Sequence, residues 1–221
     1  MCPFFITLME RTNELKEAYN DFWCKLLKSK EDFYSKMSLG DFVELKKVVS
    51  NIHNIITLEV TKSFVDFLVA EGIVSKSQAL KINNNVELTN ANTNGFDIQY
   101  PSDDATVYAD GEPKIIAEVK CCIPVKEDSY GAAQEHNILI DIRGLHEGKR
   151  KSKIEKQDLQ HYLKFLVLLG GSHDDQSAIK NVNASALRLI NKANTHGWKV
   201  ELYQPHMDLN CSTVYVVILN Y

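Results

Sequence analysis

Apolar side chains at Leu15, Ala18, Tyr19, Phe22, Trp23, Leu26 and Leu27 recur every three or four residues. That spacing lines one face of a helix and predicts a helix from Asn13 to Lys28. Ser38-Leu39-Gly40-Asp41 supplies a stop and a fresh N-cap. A second helical pattern runs from about Phe42 to Val69 through Val48, Val49, Ile52, Ile55, Ile56, Val60, Phe64 and Phe67. It is expected to break once and to end at Glu71-Gly72. Ser75 to Ile82 adds a short helix. Asn83 to Gly95 holds six asparagines and neither period, and reads as a loop.

After Gly95 the period shortens to two. Gly95 to Tyr100, Ala105 to Ala109 and Lys114 to Ile123 read as strands, with Asp110-Gly111 as a hairpin turn between the last two. Pro124 to Gly148 is mixed, with a short helix around Gln134 to Asp141. Ile154 to Lys164 reads as a helix, Phe165 to Leu169 as a strand and Ser177 to Ala193 as a helix. Lys199 to Tyr203 and Thr213 to Leu219 are closing strands. The order predicts an α/β fold, a mixed central β-sheet flanked by helices. A helical N-terminal part over 1–82 precedes an α/β core over 95–221, within one domain.

Composition adds limits. The chain has 221 residues and ordinary hydrophobic content of 44%, enough for a core without staples. The five cysteines have no C-x-x-C spacing, which argues against a structural zinc site and for reduced thiols in an intracellular, cytoplasmic setting. The apolar run after Met1 is too short and wrongly flanked for a signal peptide, and no stretch is long enough to span a bilayer. The formal net charge of −4 disfavours general coating of nucleic acid, yet leaves room for a local basic cleft.

The chemistry centres on Lys114-Ile115-Ile116-Ala117-Glu118-Val119-Lys120. Glu-x-Lys occurs five times in the chain, so the tripeptide alone decides nothing. Two copies lie in helical segments, where positions i and i+2 diverge, one in a turn and one in a loop. Only Glu118 and Lys120 stand on an apolar strand, where they share a face. If Asp97 lies on the neighbouring strand, its carboxylate meets that of Glu118. Two such charges about 4 Å apart repel by roughly 4 kcal/mol at an effective dielectric of 20. A divalent cation turns that repulsion into attraction, and a few oxygen ligands suit Mg²⁺. Lys120 would then hold a water, neutralise charge on a phosphate, or act as a base if its pKa were depressed.

Gly95-Phe96-Asp97-Ile98, a hairpin, and Ile115-Ile116-Ala117-Glu118-Val119-Lys120 together resemble the PD-(D/E)XK nuclease superfamily, which includes most type II restriction endonucleases. The resemblance covers about Ile52 to Leu169. It implies Asp97 and Glu118 as Mg²⁺ ligands, the Val119 main-chain carbonyl as a further ligand, and Lys120 as the catalytic lysine. The expected activity is site-specific hydrolysis of double-stranded DNA to 5′-phosphate ends. A homodimer and a companion DNA methyltransferase are implied as partners. Phe96 stands where the family has proline, and Asp104 is an alternative first acidic residue, although it reads as turn. Glu59 is the candidate for an additional helix-borne carboxylate.

Arg143 to Lys164 carries seven basic residues against three acidic ones. Lys149, Arg150, Lys151 and Lys153 are expected to open a helix and bind DNA phosphates. Gln134 and the asparagines of 83–94 are candidates for base contacts.

Overall fold

The computed structural model describes residues 3–89, 95–101, 113–124, 129–152 and 154–221. The chain forms two compact units, Met1–Ile52 and His53–Tyr221.

The first unit holds helix α1 (Pro3–Leu27), a 3-10 turn at Tyr34–Lys36, and the start of helix α2 (Leu39–Ala70). Tyr19 of α1 packs its ring against Tyr34 and Phe42 at centroid distances of 6.1 and 5.6 Å. Asn20 fastens the connection: its Oδ1 accepts the Tyr34 N–H, and its Nδ2 donates to Asp32. The cap expected at Ser38 forms. Ser38 N–H and Oγ both donate to Asp41 Oδ2, and Ser38 Oγ accepts the Asp41 N–H. Beyond it α2 is continuous rather than broken, because 41–70 contain no glycine or proline to interrupt the ladder.

The second unit is a mixed α/β fold around a five-stranded sheet. Its strands are β1 (Ile98–Tyr100), β2 (Lys114–Lys120), β3 (Tyr162–Leu169), β4 (Val200–Leu202) and β5 (Val214–Leu219), in the order β1-β2-β3-β5-β4. β1 runs antiparallel to β2, and every other pair is parallel. Helices α3 (Lys76–Thr89), α4 (Ala132–Glu147) and α5 (Gln176–Thr195) complete the unit. The Ala105 to Ala109 strand lies outside the described residues.

Alternation along each strand divides the core in two. Ile115, Ala117 and Val119 of β2, with Phe165, Val167, Tyr215 and Val217, pack on Val60, Phe64, Val65 and Leu68 of α2 and Ala79 and Ile82 of α3. Ile116, Leu166, Leu168, Val214 and Val216 face the other way, onto Ile138, Ile142 and Leu145 of α4 and Ala186, Leu189 and Ile190 of α5. Parallel strands buried on both faces read as near-continuous apolar runs, as β3 and β5 do.

Two expectations fail for identifiable reasons. Asn83 to Thr89 is helical, a continuation of α3. The asparagines concealed the period, while a capping box fixes the start: Ser75 N–H donates to Gln78 Oε1, and Gln78 N–H to Ser75 Oγ. The helix expected from Ile154 to Lys164 is instead a 3-10 turn at Asp158–His161 followed by β3, which begins at Tyr162. Lys164 is a buried strand residue whose ammonium donates to the Cys211 carbonyl, so it is no DNA contact. Lys149 to Ser152 therefore follow a helix instead of opening one, and no helix N-terminus adds to their charge.

Candidate active site

The even-numbered face of β2 is apolar at Ile116 and charged at Glu118 and Lys120, the carboxyl end of the strand. Register places Glu118 beside Leu166 and Lys120 beside Leu168 on β3. Glu118 is 2% exposed, an uncommon state for a carboxylate, which needs compensation.

β1 brings Asp97 to the site. Ile98 pairs with Ala117, so the next step of this antiparallel register sets Asp97 opposite Glu118. Asp97 Oδ2 accepts the Val119 N–H at 2.7 Å, which pins its carboxylate across the end of β2. Asp104 lies outside the described residues. Glu59 is exposed on α2, the helix that packs on the opposite face of the sheet, and enters none of the ion pairs below.

Two partners came unforeseen from the sequence. Asp141 lies on α4 one turn from each of the buried Ile138 and Leu145, three and four residues away, and so faces the sheet. Its Oδ2 is 2.7 Å from Lys120 Nζ, whereas Glu118 Oε2 is 3.7 Å from the same nitrogen. Asp141, more than Glu118, holds the lysine. Lys149, expected on DNA phosphate, instead reaches back into the cluster. Its Nζ is 2.7 Å from Glu118 Oε1 and 2.8 Å from Asp141 Oδ1. Gly144 makes this possible: a Cβ there would lie 2.9 Å from Lys149 Cγ and Cε, so the stem lies across a bare helix surface. The signal for Asp141 was present in the sequence, as one acidic residue on the apolar face of a helix. Lys149 left no such signal.

Electrostatics follow from burial. Burial pushes Glu118 up to about 8, Asp97 adds to the rise, and Lys149 opposes it. Asp97 is raised as well, by burial first, against the Val119 hydrogen bond and the two lysines. Burial would lower Lys120, but Asp141, Glu118 and Asp97 outweigh it and raise the pKa, so Lys120 is a cation at neutral pH. A role as base is thus disfavoured, and positioning and charge neutralisation remain. Asp141 is lowered despite its burial, because Lys120 and Lys149 face it.

Lys149 Nζ meets the buried Glu118 Oε1 at 2.7 Å, so any metal ion here would replace an ammonium. Asp97 and Glu118 oppose like charge with oxygen only, the donor type of Mg²⁺. No group of three His, Cys, Asp or Glu forms a ready cage among the described residues. Mg²⁺ tolerates so few protein ligands because it keeps several waters.

Beside the cluster opens a cavity of about 530 Å³ lined by Gly95, Lys149, Arg150 and Lys151. Gly95, at φ 85°, lets the chain pass the 151–152 backbone, where a Cβ would stand 2.6 Å from Ser152 N. Arg150 and Lys151 are exposed, and Lys153 lies outside the described residues. Gln134 is half-buried, and its Oε1 accepts the Gly131 N–H at the start of α4. The asparagines of 83–89 lie in α3, and those of 90–94 lie outside the described residues. Cys24, Cys121, Cys122 and Cys211 are free thiols, and no described helix is long and apolar enough to cross a membrane.

Comparison with known proteins finds no matching family model, no matching curated protein and no matching solved structure.

Proposed function

We propose that the protein is a Mg²⁺-dependent nuclease that hydrolyses phosphodiester bonds of double-stranded DNA. The observation that carries the reading is Glu118: a carboxyl only 2% exposed, opposed by Asp97 and flanked by Lys120 and Lys149 at the carboxyl end of a central strand. Ligands of open α/β sheets bind at such strand ends.

Asp97, Glu118 and the Val119 main-chain carbonyl would hold the cation. Bound there, it would polarise the scissile phosphate and make a water more acidic. Lys120 neutralises charge growing on the phosphate oxygens and orients the attacking water. Asp141 is a positioning residue that fixes the Lys120 ammonium at 2.7 Å. Water attacks phosphorus and the bond to O3′ breaks, leaving a 5′-phosphate and a 3′-hydroxyl. Arg150 and Lys151, exposed at the rim of the cavity, supply charge for the flanking phosphates.

The type II restriction form of this activity, with a homodimer on a palindromic site and a companion methyltransferase, rests on the sequence resemblance. Phe22, Leu26, Leu27, Leu39, Val48 and Val49 of the first unit are exposed, and self-association would cover them. The competing reading is a non-catalytic DNA-binding module. It is favoured by Lys149, which already neutralises Glu118 and Asp141. Incubation of supercoiled plasmid with protein and Mg²⁺ separates these readings. Discrete fragments support the restriction form, a smear supports a nuclease of low specificity, and intact plasmid sinks both in favour of binding alone.

A further inference from the structure

An ammonium held between two carboxylates does the electrostatic work of a metal ion. Lys149 Nζ stands 2.7 Å from Glu118 Oε1 and 2.8 Å from Asp141 Oδ1, nearly equidistant, and Lys120 closes the cluster from the other side. Glu118, only 2% exposed, is covered at Oε1 by Lys149. The bridge spans separate elements, since Glu118 belongs to β2 and Asp141 to α4, so whatever cation sits between them also ties helix to sheet.

Lys149 is suited to leave. It follows Gly148, whose φ of 93° is open to glycine and strained for other residues, at the end of α4. Its stem lies over Gly144 with no Cβ to key it in place. Lys149 also lines the cavity shared with Gly95, Arg150 and Lys151, so the carboxylates and that cavity lie within reach of one residue. Arg150 and Lys151 leave the chain at the same corner and are exposed.

We propose that Lys149 and a divalent cation compete for Glu118. In the metal-free protein the ammonium occupies the site. When the cation enters, Lys149 is released into the basic cavity and joins Arg150 and Lys151 in binding a phosphodiester group. Metal loading and substrate binding are thereby coupled through one side chain: each favours the state that favours the other. The proposal rests on the cation site of the nuclease reading for its metal, but its observable is occupancy rather than cleavage.

The test is Mg²⁺ calorimetry on the wild type, Lys149→Met, Arg150→Gln and Glu118→Gln, with melting curves to establish folding. Met keeps the stem over Gly144 and removes only the charge. Lys149→Met is expected to bind Mg²⁺ about tenfold tighter or more, within the usual range of coupling between sites. Arg150→Gln, a neighbour with no carboxylate contact among the described residues, is expected to shift binding less than about twofold, a surface-charge effect. Equal affinity in Lys149→Met and Arg150→Gln overturns the competition while leaving the cation site standing. Binding that survives Glu118→Gln, or no binding in any form, removes the cation site and the competition with it. If Lys149→Met does not fold, wild-type protein labelled at lysine Cε answers the same question. Saturating Mg²⁺ is expected to move the Lys149 signal towards that of a solvated lysine and to leave Lys192 in place. A Lys149 signal unmoved at saturation refutes release.

Discussion

The two faces of β2 differ over three residues. On one face Ile115, Ala117 and Val119 are each under 5% exposed among aliphatic and aromatic side chains from α2, α3, β3 and β5. On the other, Ile116 is equally buried, but Glu118 is an ionisable acid at 2% exposure and Lys120 follows. Backbone pairing is the same for both, since β3 lies alongside from Lys114 to Lys120. The difference teaches that burial alone does not set the chemistry of a position. α4 places Asp141, and the chain after it places Lys149, opposite the charged end; the helices on the other face meet β2 with Val60, Phe64, Val65, Leu68, Ala79 and Ile82.

The most disruptive way to break the contrast is to move a charge across the strand. Ala117→Glu would bury a carboxylate with no cation on its side. It should cost about 3–5 kcal/mol, the penalty of an uncompensated buried charge, and leave little folded protein by circular dichroism. A stable, native-like Ala117→Glu would show that the two faces are interchangeable.

Next come the groups of the charged face. Lys120→Ala and Glu118→Gln should each lower Mg²⁺-dependent DNA cleavage by about 10²–10³-fold, as loss of one charge-stabilising group does. Both should still melt cooperatively. Plasmid nicking at wild-type rate in either variant would remove the catalytic assignment. Asp141→Asn acts through Lys120 and should cost less, about tenfold in kcat with KM little changed. It should also lower the pKa of Lys120, so that the alkaline limb of the rate profile moves to lower pH. A loss of activity at fixed profile would mark Asp141 as purely structural.

The smallest effect is on stability against pH. Glu118 is raised from 4.5 to about 8 in the fold. A carboxyl raised in this way stabilises the protein when protonated. The contribution is complete below about pH 4.5 and lost as pH rises through about 8. Metal-free protein should therefore melt several degrees lower at pH 9 than at pH 6, at about 2–4 °C per kcal/mol for a chain of this length. Asp97, also raised, works in the same direction. Glu118→Gln should flatten that slope, and a scan with equal slopes in both proteins would contradict the buried-acid account.

The apolar strand and the shared face of Glu118 and Lys120 were legible because a two-residue period states which side chains share a face, whereas the pairing of β2 with Ile98–Tyr100 and with β3 was not. Both capping boxes are equally local. Ile154 to Lys164 forms no α-helix, because the apolar run that begins at Tyr162 fits helix and strand alike. Tertiary pairing with β2 and β5 made its end a strand.

What the sequence determined by itself is the charged end of β2, since that depends on neighbours along the chain, while the register of β1 on β2 set Asp97 across from it. The role of Asp141 and the capture of Lys149 were decided only in three dimensions. Asp141 lies 21 positions beyond Lys120 and Lys149 lies 31 beyond Glu118. Each meets its partner because α4 packs its Ile138–Ile142–Leu145 stripe on the sheet and because Gly144 leaves room for a lysine stem. Side-chain charge is written in the sequence; the distance between charges, which fixes their pKa values and their chemistry, is set by how the helix docks.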